Sequence, residues 1–316
     1  MEHQTEAIAF KTQGHTIRGD LRLPADGGTS KSGAAVVLVT PGSSRKGQVG
    51  RNYARRLANS GFITLTFDPS FQGRSDGEPR DLEDPSARVE DVRSAVDFLA
   101  VRPEVDMDRL GVLGVCAGGG FAVATAKIEH RFAAIGVVVP VNQGRQRRQG
   151  GGRDPEGAVR ALRAVGAQRT AEARGDAIRR DPWIPDTPAD AVAVGVADPA
   201  TLQAVDYYGT PRGYDPDRSN RMVFTSTALQ IGFDAFHLVE ELLVQPLLVV
   251  VGGRRGSTGQ YDDGLLLWER ARTKEPLVVI EGAGHYDLYD KPEYVDPAVG
   301  HLADFYTRRL VPTPSS

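Results

Sequence analysis

The sequence predicts an α/β protein: a mostly parallel, doubly wound sheet that opens with an antiparallel hairpin and carries a helical segment inserted late in the chain. Three observations predict it. Short, near-continuous apolar runs recur along the chain, helical periodicities separate most of them, and the stretch 141–230 interrupts the alternation.

Residues 5–11 and 15–23 form two expected strands around a turn at Gly14, with Thr16, Ile17, Leu21 and Leu23 in imperfect alternation. A Gly/Ser-rich loop at 27–33 follows. The run AAVVLVT (34–40) suits a strand buried on both faces of a parallel sheet. Similar runs occupy 62–68, 110–115, 133–140, 246–252 and 276–282. Within 88–101, Val89, Val92, Val96 and Leu99 fall at helical spacing while Glu90, Asp91 and Arg93 turn away. Residues 118–129 are rich in Gly and Ala, so that helix can pack close to the sheet. Further helices are expected over 265–274 and 291–310. Strands alternating with helices give a parallel sheet.

The interrupting stretch is rich in Arg, Gly, Ala and Pro. Within it 161–180 has helical character and 181–191 is a Pro-punctuated turn region. A structureless loop of that length does not suit a compact domain. The expected organisation is therefore a core domain of 1–140 and 231–316 with an inserted helical cap over 141–230. The tail VPTPSS is expected to fray.

Composition narrows the function. Of 316 residues, 40% are hydrophobic and 25% charged, as in ordinary soluble domains. The formal net charge of −3 gives no field for nucleic acid or a membrane surface. No apolar run is long enough for a membrane span, and the N-terminus shows no signal-peptide core. The single cysteine forms no internal disulfide. These absences lead to a cytoplasmic expectation. The expected partner is a small-molecule acyl substrate, with no nucleic acid, no membrane, no metal and no cofactor. A homodimer is compatible with the sequence.

The most informative stretch is LGVLGVCAGGGFAVATA (110–126). It leads from a buried strand through Gly114-Val115-Cys116-Ala117-Gly118 into a helix, a G-x-nucleophile-x-G turn with Cys as the nucleophile. Such a turn is strained, so the positions two residues either side must be small. It sets the thiol at a helix N-terminus, where amide N–H groups favour a thiolate and a developing oxyanion. The Ala117 amide is one expected oxyanion donor. Two plainer readings compete: an inert buried cysteine, and a dinucleotide turn, which would need Gly at 116.

Among six histidines, His285 has the suitable context. It follows the 276–282 run, at the sheet edge where sites form in open α/β folds. A loop histidine bonded to a carboxylate is the plain alternative. His237, in an apolar run, is expected to pack. In PGSSRKGQ (41–48), a small-residue loop after a strand, Ser43 is the expected second oxyanion donor, with Gly42 and Ser44 as competitors.

Four segments together resemble the α/β-hydrolase superfamily, specifically its dienelactone-hydrolase-like and peptidase-like members with a Cys nucleophile. They are GVCAGG (114–119), TPGSS (40–44), FDPSFQGRSDGEPRDLEDP (67–85) and GAGHYDLYD (282–290). The resemblance covers most of the chain outside 141–230. It implies the α/β-hydrolase fold, hydrolysis of an ester, lactone or thioester, Cys116 as nucleophile and His285 as base.

The sequence departs from the family at the third triad member. The acid usually follows the strand at 246–252, where this chain has GGRRGSTGQYDDG (252–264), with arginines at 254 and 255. Asp234 is the preferred acid and Asp263 the next. Asp262 and Asp287 are further candidates for the acid; Asp234, Asp262 and Asp263 also suit helix N-capping, and Asp287 also suits loop stabilisation. A Cys–His pair tolerates a missing acid better than Ser–His does, since a thiol ionises with a pKa of about 8.5.

Asp68, Arg74 and Arg80 fit ion pairs within their loop. Arginines at 145–180 suit an anionic substrate group or a solvated helix face. Trp183, Tyr207 and Tyr208 suit pocket walls and cap packing equally. Two other functions keep the fold: a biosynthetic acyl transferase, cyclase or lyase, and a non-catalytic binding protein.

Overall fold

The computed structural model describes residues 4–24, 33–149 and 155–311. Most of the loop at 27–33 and all of the tail beyond Val311 lie outside them. An eight-stranded sheet forms the centre, in the order β1-β2-β4-β3-β5-β6-β9-β10. Its strands are β1 (Gln4–Thr12), β2 (His15–Leu23), β3 (Ala35–Val39), β4 (Ile63–Asp68), β5 (Leu110–Val115), β6 (Ala134–Val138), β9 (Leu247–Gly252) and β10 (Val278–Ile280). β1 and β2 form the antiparallel hairpin, and β2 joins β4 antiparallel with Leu21 opposite Leu65. Every later pairing is parallel.

The all-apolar runs are explained by coverage of both faces. Along β3, Val37 and Val39 enter one core with Phe121 and Val112, while Val36 and Leu38 enter the other with Leu113 and Tyr306. The first face is covered by α2 (Pro85–Ala100), α3 (Ala117–Ala126) and α10 (Gln260–Arg270); the second by α1 (Arg51–Asn59) and α12 (Pro292–Leu310). Asp84 caps α2 by accepting from the Ser86 amide at 2.8 Å.

The segment between β6 and β9 holds α4 (Gln143–Gln149), α5 (Pro155–Ala173), α6 (Pro188–Ala193), α7 (Pro199–Tyr208), α8 (Ser226–Gly232) and α9 (Val239–Leu242). A two-stranded antiparallel ribbon of β7 (Arg180–Pro182) and β8 (Arg221–Val223) lies among them. The helix expected over 161–180 thus begins and ends earlier, at 155 and 173, and part of the Pro-punctuated stretch is ribbon. A one-turn helix, α11 (Asp287–Asp290), follows β10. Among the described residues, no helix is long and apolar enough to cross a membrane.

Candidate active site

β5 ends at Val115 and α3 begins at Ala117, so Cys116 occupies the turn alone. Its φ of 59° and ψ of −128° are unfavourable for a residue with a Cβ. Three backbone hydrogen bonds hold it there. Its N–H donates to the Val138 carbonyl at 3.0 Å, and its carbonyl accepts from the Gly119 and Val141 amides, each at 2.9 Å. The flanking glycines have the steric reason the motif implies. A Cβ on Gly114 would lie 2.3 Å from the Gly118 carbonyl oxygen, and one on Gly118 would lie 2.2 Å from that of Val39.

His285 sits in the loop between β10 and α11, buried at 4% exposure. Both it and Cys116 line one cavity of about 720 Å³. A residue not anticipated from sequence stands between them. The Tyr289 hydroxyl lies 3.2 Å from His285 Nε2 and stands beside the Cys116 thiol, whose ionisation it favours. Tyr289 is four residues after His285, the spacing of one helical turn, and that periodicity in HYDLY was the available signal.

Electrostatics reverse one expectation. Burial pushes the Cys116 thiol up to about 11, with Asp263 adding in the same direction; hydrogen bonds from Tyr289 and the Ala117 amide only partly oppose this. Burial alone pulls His285 down to about 3. Burial thus opposes the helix N-terminus at Cys116, and favours a protonated thiol and a neutral imidazole.

None of the candidate acids hydrogen-bonds to His285, whose buried Nδ1 has no partner among the described residues. The preferred Asp234 is corrected: its carboxylate accepts from Asn142 Nδ2 at 2.7 Å and the Phe236 amide at 3.0 Å, and faces Arg148 at 3.6 Å. It turns toward the start of the β6–β9 segment, away from the β10–α11 loop. Asp263 is fully buried, accepting from the Asn142 amide at 2.9 Å and pairing with Arg145. Asp262 is exposed and meets Arg255 at 3.4 Å. Both sit in the first turn of α10, after an N-cap at Gly259. Asp287 stabilises its own loop, accepting from the Gly284 amide at 2.8 Å and pairing with Arg254 and Lys291. An arginine where the family has an acid has thus captured the carboxylate nearest in sequence to His285.

The oxyanion loop needs a second correction. The Ser43 amide already donates to the Glu83 carboxylate at 3.0 Å, and the Ser44 amide donates to the Pro41 carbonyl at 3.1 Å. Glu83 is fully buried and paired with Arg88, whose guanidinium also donates to the Pro41 carbonyl. Of the three amides considered in the loop, Gly42's has no partner among the described residues, and Gly42 lines the cavity. A Cβ there would meet Gln143 Nε2 at 2.9 Å and the Trp183 ring at 3.4 Å.

The β6–β9 segment supplies the opposite wall of the cavity, including Trp183 and Tyr208. Tyr207 instead packs under it, with its ring 4.9 Å from that of Tyr289. His237 is exposed rather than packed. The loop after β4 is structural. Asp68 accepts from the Lys46 and Arg74 amides at 3.0 and 3.1 Å, Arg74 pairs with Asp217, and Arg80 donates to the Gly73 carbonyl at 2.6 Å.

A nucleophile-type turn after a central parallel strand, with a histidine loop after the last strand at the same edge, is the arrangement of the α/β-hydrolase fold. The chain belongs to the alpha/beta hydrolase family, whose model matches residues 36–298. It is 36% identical to the uncharacterized protein YcjY of Escherichia coli K12, over 87% of this chain and 89% of that protein. The crystal structure of the hypothetical protein PA2218 of Pseudomonas aeruginosa superposes with a TM-score of 0.88 at 28% identity, covering 98% of this chain and 94% of that one. A thiohydrolase of Aspergillus aculeatus, aneE, is 31% identical over 43% of this chain and 42% of its own length.

Proposed function

We propose that this α/β-hydrolase cleaves an activated acyl group, an ester, lactone or thioester, through an acyl–Cys116 intermediate. The observation that carries the reading is the forced turn at Cys116, whose thiol is linked through one phenol to a buried histidine. In this reading, Sγ attacks the substrate carbonyl as its proton passes to Tyr289 Oη, while Tyr289 passes its own proton to His285 Nε2. Neutral partners suit this, since no charge separates before the substrate arrives. The Ala117 and Gly42 amides stabilise the oxyanion. His285 returns the proton to the leaving group by the same path. Water, deprotonated in turn, attacks the acyl-cysteine and releases the acid. The likeness to aneE supports placing thioesters among the substrates. The residues 141–230 act as a cap that closes the cavity over Cys116.

The test is turnover of a panel of aryl esters, lactones and acyl thioesters by the wild type and Cys116→Ala, with intact-protein mass spectrometry. An acyl adduct on the wild type and loss of turnover by at least about 10³-fold in the variant are expected. Equal turnover by both proteins rejects the mechanism.

A further inference from the structure

Resting on that reading of Cys116, we infer that the cavity selects substrates that carry an anionic group besides the reactive acyl carbon, and that Arg147 and Arg218 bind it. Both side chains line the cavity, and among the described residues no carboxylate lies within ion-pair distance of either. Their neighbours differ: Arg145 pairs with Asp263, Arg148 faces Asp234, and Arg221 pairs with Asp186 at 3.2 Å. Arg147 lies over the Trp183 ring at 5.2 Å and, among the described residues, has its polar contact with the Met222 sulfur at 3.9 Å. Arg218 lies over the Tyr208 ring at 4.7 Å and donates to Asn220 Oδ1 at 2.5 Å. Aromatic faces hold a guanidinium in a fixed plane and leave its edge free for an anion.

A second, independent observation points the same way. Polar atoms without partners gather around this cavity: Trp183 Nε1, Arg218 Nε, Thr258 Oγ1 and Gln143 Oε1 all belong to lining residues. Gln143 and Thr258 are more than nine-tenths buried. The first two atoms are donors only, so what they lack is an acceptor. The one ionised carboxylate on the wall does not fill that need. Asp198 accepts from the Thr201 amide at 2.8 Å, the Thr201 hydroxyl at 2.7 Å and Ser257 Oγ at 2.9 Å. Burial holds both guanidiniums below their ordinary range, against the attraction of Glu83 on Arg147 and of Tyr208 and Asp186 on Arg218. An arriving anion meets two guanidinium groups on the cavity wall.

Arg147, through Trp183, adjoins the oxyanion loop; Arg218, through Tyr208, adjoins the tyrosines around His285. A carboxylate on the acyl chain and a phosphate on the leaving group share the required chemistry. Two pairs of substrates separate them: p-nitrophenyl hemiadipate with its neutral adipamate counterpart, and a neutral acyl thioester of phosphopantetheine with the same thioester of pantetheine. The wild type is expected to favour one anionic member over its neutral partner by about 30-fold in kcat/KM. Arg147→Met or Arg218→Met should cut that preference by about tenfold. Cooperative urea unfolding with a midpoint near that of the wild type reports that these variants fold. Preference for the hemiester places the anion on the acyl side; preference for phosphopantetheine places it on the leaving group. Ratios near one in the wild type, or ratios unchanged in both variants, overturn the inference. Absence of turnover on every substrate counts against the acyl-cysteine reading instead. The anion site is then decided by binding of monomethyl adipate to Cys116→Ala, where Arg147→Gln should weaken affinity by about tenfold and an unchanged affinity overturns it.

Discussion

The floor and the wall of the cavity are built on different principles. On the floor, the residues that fix Cys116 are backbone groups and glycines. Three main-chain hydrogen bonds hold the turn, and carbonyl oxygens lie so close to Gly114 and Gly118 that no side chain fits. The wall contributed by the β6–β9 segment is a network of charged side chains in which Arg145, Arg148 and Arg221 have found carboxylates and, among the described residues, the cavity-lining Arg147 and Arg218 have not. The difference teaches where tolerance lies. Backbone packing gives one geometry or none, whereas an unsatisfied polar wall can be rewritten while the floor stays intact.

The sharpest way to break this comparison is at Cys116 itself. Cys116→Ser keeps the turn and the small side chain but replaces a thiol by a far weaker acid, in a site where, among the described residues, no carboxylate supports His285. Turnover is expected to fall by about 10³-fold with folding intact. A serine variant retaining full kcat/KM would mean that an acid reaches His285 after all.

Next in size is Glu83→Gln. Glu83 is buried, paired with Arg88, and receives the Ser43 amide, so it ties the oxyanion loop to α2. Neutralising it leaves Arg88 uncompensated, and urea unfolding should show a loss of about 3 kcal/mol. By contrast, Arg147→Met on the wall should change stability by less than about 1 kcal/mol. Equal losses would erase the distinction between floor and wall.

These two residues also show what was legible in the sequence. Cys116 and its glycines announce themselves because a steric demand at fixed spacing is local. The strands were legible for a similar reason: a run such as LGVLGV has one stable setting, buried on both sides. Glu83's grip on Ser43 was not legible, because it joins residues forty positions apart through side-chain direction. The same holds for Asp234. The sequence suggests that it opens a helix running down from the sheet edge beside Cys116, whereas it lies between α8 and α9, where Asn142 and Arg148 decide where its carboxylate points. The boundaries of α5, β7 and α6 shifted because Arg-, Gly- and Pro-rich sequence lacks a dominant apolar period.

Tyr289→Phe ranks third and tests the link within the floor. If the phenol carries the proton between Sγ and Nε2, its removal should lower kcat by about 10²-fold with KM within about threefold. Pre-steady-state acylation would show the loss in the first step. An unchanged kcat would mean that His285 meets the thiol directly once substrate is bound.

The smallest expected effect is a near-absence of one. A general-base histidine with its ordinary pKa of about 6.5 would gain activity as the imidazole loses its proton there. In this site burial depresses His285 to about 3 and raises Cys116 to about 11. The signs separate the two titrations: the imidazole is neutral and able to accept a proton above its depressed value, and the thiol stays protonated below its raised one. The competent pair therefore spans the whole neutral range. For a non-ionising ester, kcat/KM should vary by less than about threefold between about pH 5 and about pH 9. Alkylation by iodoacetamide needs the thiolate and no proton transfer, so its rate should climb steadily across the same interval. A turnover break near 6.5, together with alkylation that levels off below about pH 8, would instead reveal an activated thiolate and show that the helix N-terminus outweighs burial at Cys116.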